Sequence, residues 1–526
     1  MSRDLAIPFS TVADLLARHA GAHPEKTAIV DLDGGKEVDF AGLREAVERI
    51  AAWLETTGVG RGDKVVVLAD ERLVKLLVFL AVWRVGAIAC PFHVEMSVAH
   101  LRDIVTYIGP RLVLWHADLD GDRIVEGLDY PSVRFSSWPD GGSEPGELFA
   151  AVGAQASGAA PRGTNFETDT ACIFSTSGTT DRPKCVEWDH LGLWLCGLSS
   201  LDFTGMTGED RLLEYRTFSW LSPQILALMP FLQTGLTLHI ARRFSHGRFF
   251  DWIEDHRITV AIGVPTVINM LLNRPVDIEP GRIDSLRLMT SSSAPLSPDR
   301  WRRFEETYRI ALLQFYGASE GGWLCGNRHD DRKVGTVGRP ARHMEFAILD
   351  PGGGPCPPGV EGEIAIRGPQ TAVAAITPAG EYRDMRPTRL AEWLRTGDIG
   401  VADEDGFVTV TGRIKDLIIR GGVNIAPLEI DGVLMRLPGI EEAAVVGVPD
   451  PIYGEEIAAF VVVRSGASVD PQNVIAGCAR HLPDFKLPKS VFLVDSLPKS
   501  DRGKIRREAL KSLWHERVRP PDPPGA

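Results

Sequence analysis

The 526-residue chain lacks any pairing of cysteines that would signal a disulfide framework or a zinc site. Its seven cysteines, Cys90, Cys172, Cys185, Cys196, Cys325, Cys356 and Cys478, are odd in number, scattered and never spaced C-x-x-C. Reduced thiols in a cytoplasmic protein are expected. Positive charge is also short: Lys plus Arg is 57 against 70 for Asp plus Glu, a balance of −13. Such a surface repels a phosphate backbone or an anionic lipid sheet, so nucleic acid is excluded as the main partner. No secretion signal is visible in MSRDLAIPFSTVADLLARHA, which carries charge early and has no apolar core before a small-residue cleavage site. No uninterrupted membrane span exists either. The longest uncharged run, residues 217–241, is broken by Pro223, Pro230 and Gly235, and reads as a short buried helix followed by a strand. Internal repeats are absent.

What is present is an ordinary globular composition, 44% apolar and 24% charged, in a chain long enough for three to four units of roughly 150 residues. Up to about residue 110, amphipathic stretches such as LREAVERIAAWLE alternate with short apolar strands such as KVVVLAD. The alternation resumes after the small-residue stretch GAQASGAAPRGTN, through TACIF, LTLHI, FFDWIEDHRI, VAIGVP, LRLMTSS and ALLQFYG, as a largely parallel sheet requires. Beyond Pro340 the segments MEFAILD, GEIAIRG and GFVTVTGR predict a small β subdomain or barrel. After about Lys415 a compact α+β unit is expected, with AAVVGVP, AAFVVVR and SVFLVD as strands and PLEIDGVLMRL as a helix, before a frayed RPPDPPGA tail.

The most informative segment is FSTSGTTDRPK (174–184). An apolar strand runs into five hydroxyl residues among six positions, then Arg182 and Lys184. Hydroxyls, exposed backbone N–H groups and cations converging on one loop suit a polyphosphate. The spacing is not that of a P-loop, G-x-x-x-x-G-K-[ST]. Four further segments follow in order: QFYGASE (314–320), WLRTGD (393–398), GRIKDLIIRGGVNIAPLEID (412–431) and LPKSDRGKIRR (497–507). With GTVGRP, GEIAIRGP and VVGVPDPIYGE between them, these segments resemble the adenylate-forming superfamily of acyl-CoA synthetases, peptide-synthetase adenylation domains and luciferases. The resemblance covers nearly the whole chain.

The resemblance implies an α/β fold: a large body over residues 1–413, with parallel-rich sheets, helices and a small β-barrel, and a mobile α+β lid over residues 414–526. It implies that ATP and a carboxylic acid give an acyl-adenylate and pyrophosphate, after which a thiol takes the acyl group and AMP leaves. Two anions must meet, so cations and hydroxyl donors have to offset their repulsion. By resemblance Thr176, Ser177, Gly178, Thr179, Thr180 and Lys184 hold the β- and γ-phosphates, and Ser293, Ala294, Pro295 and Gly317 border the nucleotide. Tyr316 stacks on adenine, Ser319 bonds the α-phosphate and Glu320 holds Mg²⁺. In isolation these three would pass for a buried aromatic, a turn hydroxyl and a solvated acid. Asp398 accepts from the ribose hydroxyls, Arg413 contacts ribose and phosphate, and Lys504 reaches the substrate carboxylate. Lys415 is the hinge, about which the lid turns to bring Gly421 and Gly422 to the coenzyme A channel.

Three departures stand out: Asp181 and Cys185 where many relatives have glycine, and Ser319 where they have threonine. A carboxylate beside a triphosphate is repulsive unless it is paired or turned to solvent. The acyl pocket is assigned to Trp220, Ser222, Val264 and Ser291, with Trp220 standing where relatives often carry histidine. An indole there either gates the pocket or simply packs in the core. No Asp or Glu occurs in residues 215–250, so the carboxylate that clamps an α-ammonium has no candidate in that stretch, although an acid from elsewhere in the fold would serve. No carrier-protein domain follows Lys504, which favours coenzyme A over a separate acyl carrier protein as the acceptor. Two rivals are weighed: a serine hydrolase with its nucleophile elbow at Gly317-Ala318-Ser319-Glu320-Gly321, and a nucleotide-binding pseudoenzyme.

Overall fold

The computed structural model describes residues 8–119, 124–136, 147–154, 161–176, 184–279, 281–377, 380–499 and 504–518. Two large mixed sheets form the body. In the first, the strands Ala311–Ala318, Leu288–Ser291, Val260–Ala261, Arg211–Glu214, Thr237–Ile240 and Thr27–Asp31 lie side by side and parallel, with antiparallel strands at both edges. The second has a parallel run of Thr170–Thr176, Ile88–Pro91, Lys64–Leu68, Leu112–His116 and Ser132–Phe135, extended antiparallel by Lys184–Asp189.

One core takes side chains from both sheets and from the helices Phe40–Thr56, Leu73–Arg84 and His190–Thr204. Helix Leu73–Arg84 is buried on every side, including Lys75 and Arg84, as befits a helix enclosed by protein. Asp39 and Asp189 cap the other two helices through the N–H groups of Gly42 and Gly192. The run expected to be a short buried helix is a longer composite: Leu221–Pro223, then a π turn Gln224–Leu228, then Met229–Thr234. Its cause is Pro230, which has no N–H and whose ring crowds the carbonyl of Leu226; the N–H of Met229 reaches back five residues to the Gln224 carbonyl.

The small β unit is a four-stranded antiparallel sheet, in the order Glu345–Leu349, Gly362–Arg367, Leu394–Ala402, Val408–Arg413; no pairing between its outer strands closes it among the described residues. The last sheet uses only strands from Ile418 onward and is packed by helices Pro427–Leu434, Pro471–Cys478 and Arg507–Val518. The RPPDPPGA tail lies outside the described residues. No described helix is long and apolar enough to cross a membrane.

Candidate active site

Four neighbouring parallel strands, Arg211–Glu214, Val260–Ala261, Leu288–Ser291 and Ala311–Ala318, carry Trp220, Val264, Ser291, Ser293 and Tyr316 at or just beyond their carboxyl ends. This is where open α/β sheets present ligand sites, because the connecting loops there leave backbone and side chains unpaired by the sheet. From the last strand comes Tyr316. Its phenol donates to Asp398 Oδ2 at 2.5 Å, while Arg413 Nε donates to Asp398 Oδ1 at 2.5 Å. Asp398 and Arg413 are opposite one another on the adjacent strands Leu394–Ala402 and Val408–Arg413, so the ladder itself sets their pairing. Burial, reinforced by the Asp398 charge, pushes the Tyr316 phenol well above its ordinary value and keeps it a donor. The Asp398 carboxylate is thereby fixed in orientation, yet each oxygen retains a second lone pair for a ribose hydroxyl.

Thr176 and Lys184 face each other at the mouth of the hydroxyl-rich loop. Ser177, Gly178, Thr179, Thr180 and Asp181 lie outside the described residues. Cys185 turns into the core, with its Sγ 3.0 Å from the Tyr107 hydroxyl; burial raises its thiol to about 12, so it adds no charge near a phosphate. Trp188 belongs to none of the sequence motifs. Its indole N–H donates to the Ser319 carbonyl at 3.0 Å and ties the loop's second strand to the turn carrying Ser319 and Glu320. The Glu320 main chain is fixed by the N–H of Ala372 at 2.9 Å. Among the described residues no group of three or more His, Cys, Asp or Glu side chains forms a metal cluster, and Glu320 is the single carboxylate assigned to Mg²⁺ by the resemblance.

On the other side, Trp220 stacks on His93 with ring centroids 5.3 Å apart and an interplanar angle of 23°. Arg216 is gripped by Glu214 through two hydrogen bonds, Nε to Oε1 at 2.9 Å and Nη2 to Oε2 at 2.7 Å, and its Nη1 reaches Ser222 Oγ at 3.2 Å and Ser292 Oγ at 3.4 Å. Ser291 is fully buried and its hydroxyl is partnerless. Ser293 adopts φ 75°, an uncommon conformation for a non-glycine residue, and begins the loop through Ala294 and Pro295. Val264 precedes helix Pro265–Asn273. Two acids do approach this region from outside residues 215–250: Glu214, paired with Arg216, and Glu71, paired with Lys75. Each already has its cation, so neither is a free clamp for an ammonium group.

The Gly317–Gly321 segment is no nucleophile elbow. Strand Ala311–Ala318 turns into the antiparallel strand Gly322–Gly326, and no helix follows the serine. The glycines serve this hairpin: a Cβ at Gly317 would stand 2.5 Å from the Gly322 carbonyl oxygen, and Gly322 has φ 65°. The hydrolase alternative is thereby overturned, since its serine would lack the sharp strand-to-helix turn.

On the C-terminal unit, Lys415 lies in the 3₁₀ turn Ile414–Asp416, directly after Arg413. Gly421 and Gly422, at φ 57° and 82°, form the tip of a hairpin, with the Gly421 N–H donating to the Tyr453 carbonyl at 2.8 Å. Ile419, Val423, Ile452 and Tyr453 are exposed around that tip. Lys504 is exposed, just ahead of helix Arg507–Val518.

The AMP-binding enzyme family matches residues 16–374, and the AMP-binding enzyme C-terminal domain matches residues 429–504. The sulfoacetate–CoA ligase of Cupriavidus necator is 33% identical over 96% of this chain and 98% of its own length. The indoleacetate–CoA ligase of Aromatoleum aromaticum is 30% identical over 95% and 98%. Among solved structures, ATP-bound MatB from Rhodopseudomonas palustris superposes with a TM-score of 0.86 at 29% identity, covering 96% of this chain and all of that one. Apo MatB gives 0.76 at the same coverage, so this chain is arranged more like the ATP-bound form than the apo form. On these matches, spanning both the body and the C-terminal unit, the chain belongs to the AMP-binding enzyme family.

Proposed function

We propose that this protein is an AMP-forming acid–thiol ligase, which activates a small-molecule carboxylic acid with ATP to an acyl-adenylate, releases pyrophosphate, and transfers the acyl group to coenzyme A. The single observation that carries the reading is the Tyr316–Asp398–Arg413 cluster at the carboxyl ends of the parallel strands. It offers a flat aromatic face for adenine, an oriented carboxylate for the ribose diol and a guanidinium for the phosphate, within one group of contacts. Relatives named as sulfoacetate–, indoleacetate– and oxalate–CoA ligases support the same reaction class.

The first half-reaction joins two anions. Lys184, Arg413 and Lys504 supply positive charge around the phosphates, and the hydroxyls of Thr176, Ser177, Thr179 and Thr180 supply hydrogen-bond donors. Bound at Glu320, Mg²⁺ would neutralise phosphate charge. As the acid's oxygen attacks the α-phosphorus, Lys504 offsets negative charge on the carboxylate and on the phosphate oxygens, and pyrophosphate leaves. In the second half-reaction the thiol of coenzyme A attacks the acyl carbon and AMP departs. We assign residues 1–413 to the body and 414–526 to a lid that turns at Lys415. The apolar collar of Ile419, Val423, Ile452 and Tyr453 around Gly421 and Gly422 supports this, since an exposed apolar patch is stabilised when it docks on another surface. All seven cysteines are free, which supports a cytoplasmic setting.

The test is pyrophosphate release with ATP and Mg²⁺ over fatty, aryl, hydroxy, dicarboxylic and amino acids, with and without coenzyme A, followed by mass detection of the product. Release with an acyl-CoA product is expected. Release without a thioester would shift the acceptor to an acyl carrier protein, and silence over the panel would overturn the ligase.

A further inference from the structure

Lys75 is the one charged residue within LVKLLVFLAVW, and it is fully buried. Its ammonium donates to Glu71 Oε1 at 2.5 Å and to Ser219 Oγ at 3.0 Å. The same carboxylate oxygen accepts from Thr217 Oγ1 at 2.6 Å. Thr217 in turn accepts the N–H of Ser219 on its hydroxyl and the N–H of Trp220 on its carbonyl, each at 3.1 Å. Gln224, at the start of the π turn, donates to the Phe218 carbonyl at 2.5 Å. Every residue from Thr217 to Ser219 is thus tied down, and the next residue is Trp220, stacked on His93.

Burying an ion pair costs desolvation that a hydrophobic pair of similar volume would avoid, so stability alone is a weak reason to place a lysine inside this helix. What the pair supplies is direction. An ammonium and a carboxylate fix hydrogen-bond geometry on two hydroxyls of a loop that apolar packing would leave free to slide. We propose that Glu71 and Lys75 are positioning residues for acid recognition: through Thr217 and Ser219 they set the place of the Trp220 indole and thereby the affinity for the carboxylic acid. The proposal rests on the reading of Trp220 as a wall of the acyl site.

The experiment measures KM for the acid, KM for ATP and kcat of pyrophosphate release with the full chain and its best acid. The variants are Lys75→Met, Thr217→Val and Trp220→Ala, with each of the first two also combined with Trp220→Ala. Lys75→Met raises the acid KM about tenfold, the worth of one charge-assisted hydrogen bond, and leaves the ATP KM within about twofold. Thr217→Val is nearly isosteric, keeps the ion pair and therefore tests the same tie even if Lys75→Met fails to fold; it raises the acid KM about threefold. Both increments vanish in the Trp220→Ala background. Parallel rises in both KM values, or increments that persist in full without the indole, overturn the positioning role while leaving the ligase standing. An acid KM unmoved by Trp220→Ala overturns the acyl-wall reading and this proposal with it, and pyrophosphate release from no acid at all overturns the ligase itself.

Discussion

Tyr316, Asp398 and Arg413 come from three strands and meet in two hydrogen bonds at a surface that a nucleotide would share, whereas Trp220 is fixed from behind by Glu71, Lys75, Thr217 and Ser219, at least three of which a ligand cannot reach without moving protein. The first arrangement uses the same side chains for structure and for binding. The second, on the reading of Trp220 as a wall of the acyl site, separates the residue that would touch substrate from the residues that hold it. Substitutions on the nucleotide side should therefore change binding directly, and substitutions behind the acyl side should change it at one remove.

The hardest break of this contrast is Lys504→Ala. It is expected to slow pyrophosphate release by about a hundredfold or more while changing thioester formation from a supplied acyl-adenylate by less than about tenfold; equal loss in both half-reactions would remove the lysine from the first. Next is Asp398→Asn, which weakens the grip on Arg413 and on the ribose and is expected to raise the ATP KM about thirtyfold with the acid KM within about twofold, read by initial rates at saturating acid. A comparable rise in the acid KM would mean that the two sides are not separable.

The last effect, on stability rather than turnover, is shared by both sides. His190 begins the helix after the strand that starts at Lys184, and His239 sits beside the strand that leads to Trp220. Burial lowers both imidazoles to about 3. Above about pH 6.5 neither the folded nor the unfolded chain protonates them; between there and about 3 only the unfolded chain takes the proton, so stability is lost as pH falls, by about 1.4 kcal/mol per unit for each histidine. Urea midpoints at pH 7, 6 and 5 should fall progressively, and His239→Gln should shallow the slope. An unchanged slope would mean that His239 is protonated in the folded chain.

The two sides also differ in how far the sequence revealed them. The strand and helix order was legible because apolar periodicity is local, and the ordered motifs pointed to the family because phosphate and ribose demand particular residue types at close spacing. GTVGRP was legible as a motif but not as a reason: Gly338 has φ 85°, and a Cβ there would lie 1.9 Å from the Gly326 backbone, so the match reflects a chain crossing. The Tyr316 bond to Asp398 spans 82 residues, Trp188 reaches Ser319 across 131, and Lys75 meets Ser219 across 144. Such partners are chosen by tertiary packing, which no local pattern encodes. Lys75 did carry a signal, a lone charge in an apolar helix, but the sequence does not say which loop it holds. The G-x-S-x-G pattern misled for the opposite reason, since glycines that ease an elbow also ease a hairpin.

The π turn at Gln224–Leu228 has a consequence for how this chain tolerates change in length. A π turn accommodates one residue more than the α-helical frame, so deleting a single residue there lets the helix close to ordinary pitch without breaking it. Such a deletion leaves the residues before and after the turn on their own helix faces, so Ser222 is expected to stay beside Arg216 and Trp220 beside His93. The turn is therefore the one place in residues 221–234 where the loss of a residue is absorbed, while a deletion in the α-helical turn that follows would rotate Ser222 and Trp220 by about 100° about the helix axis.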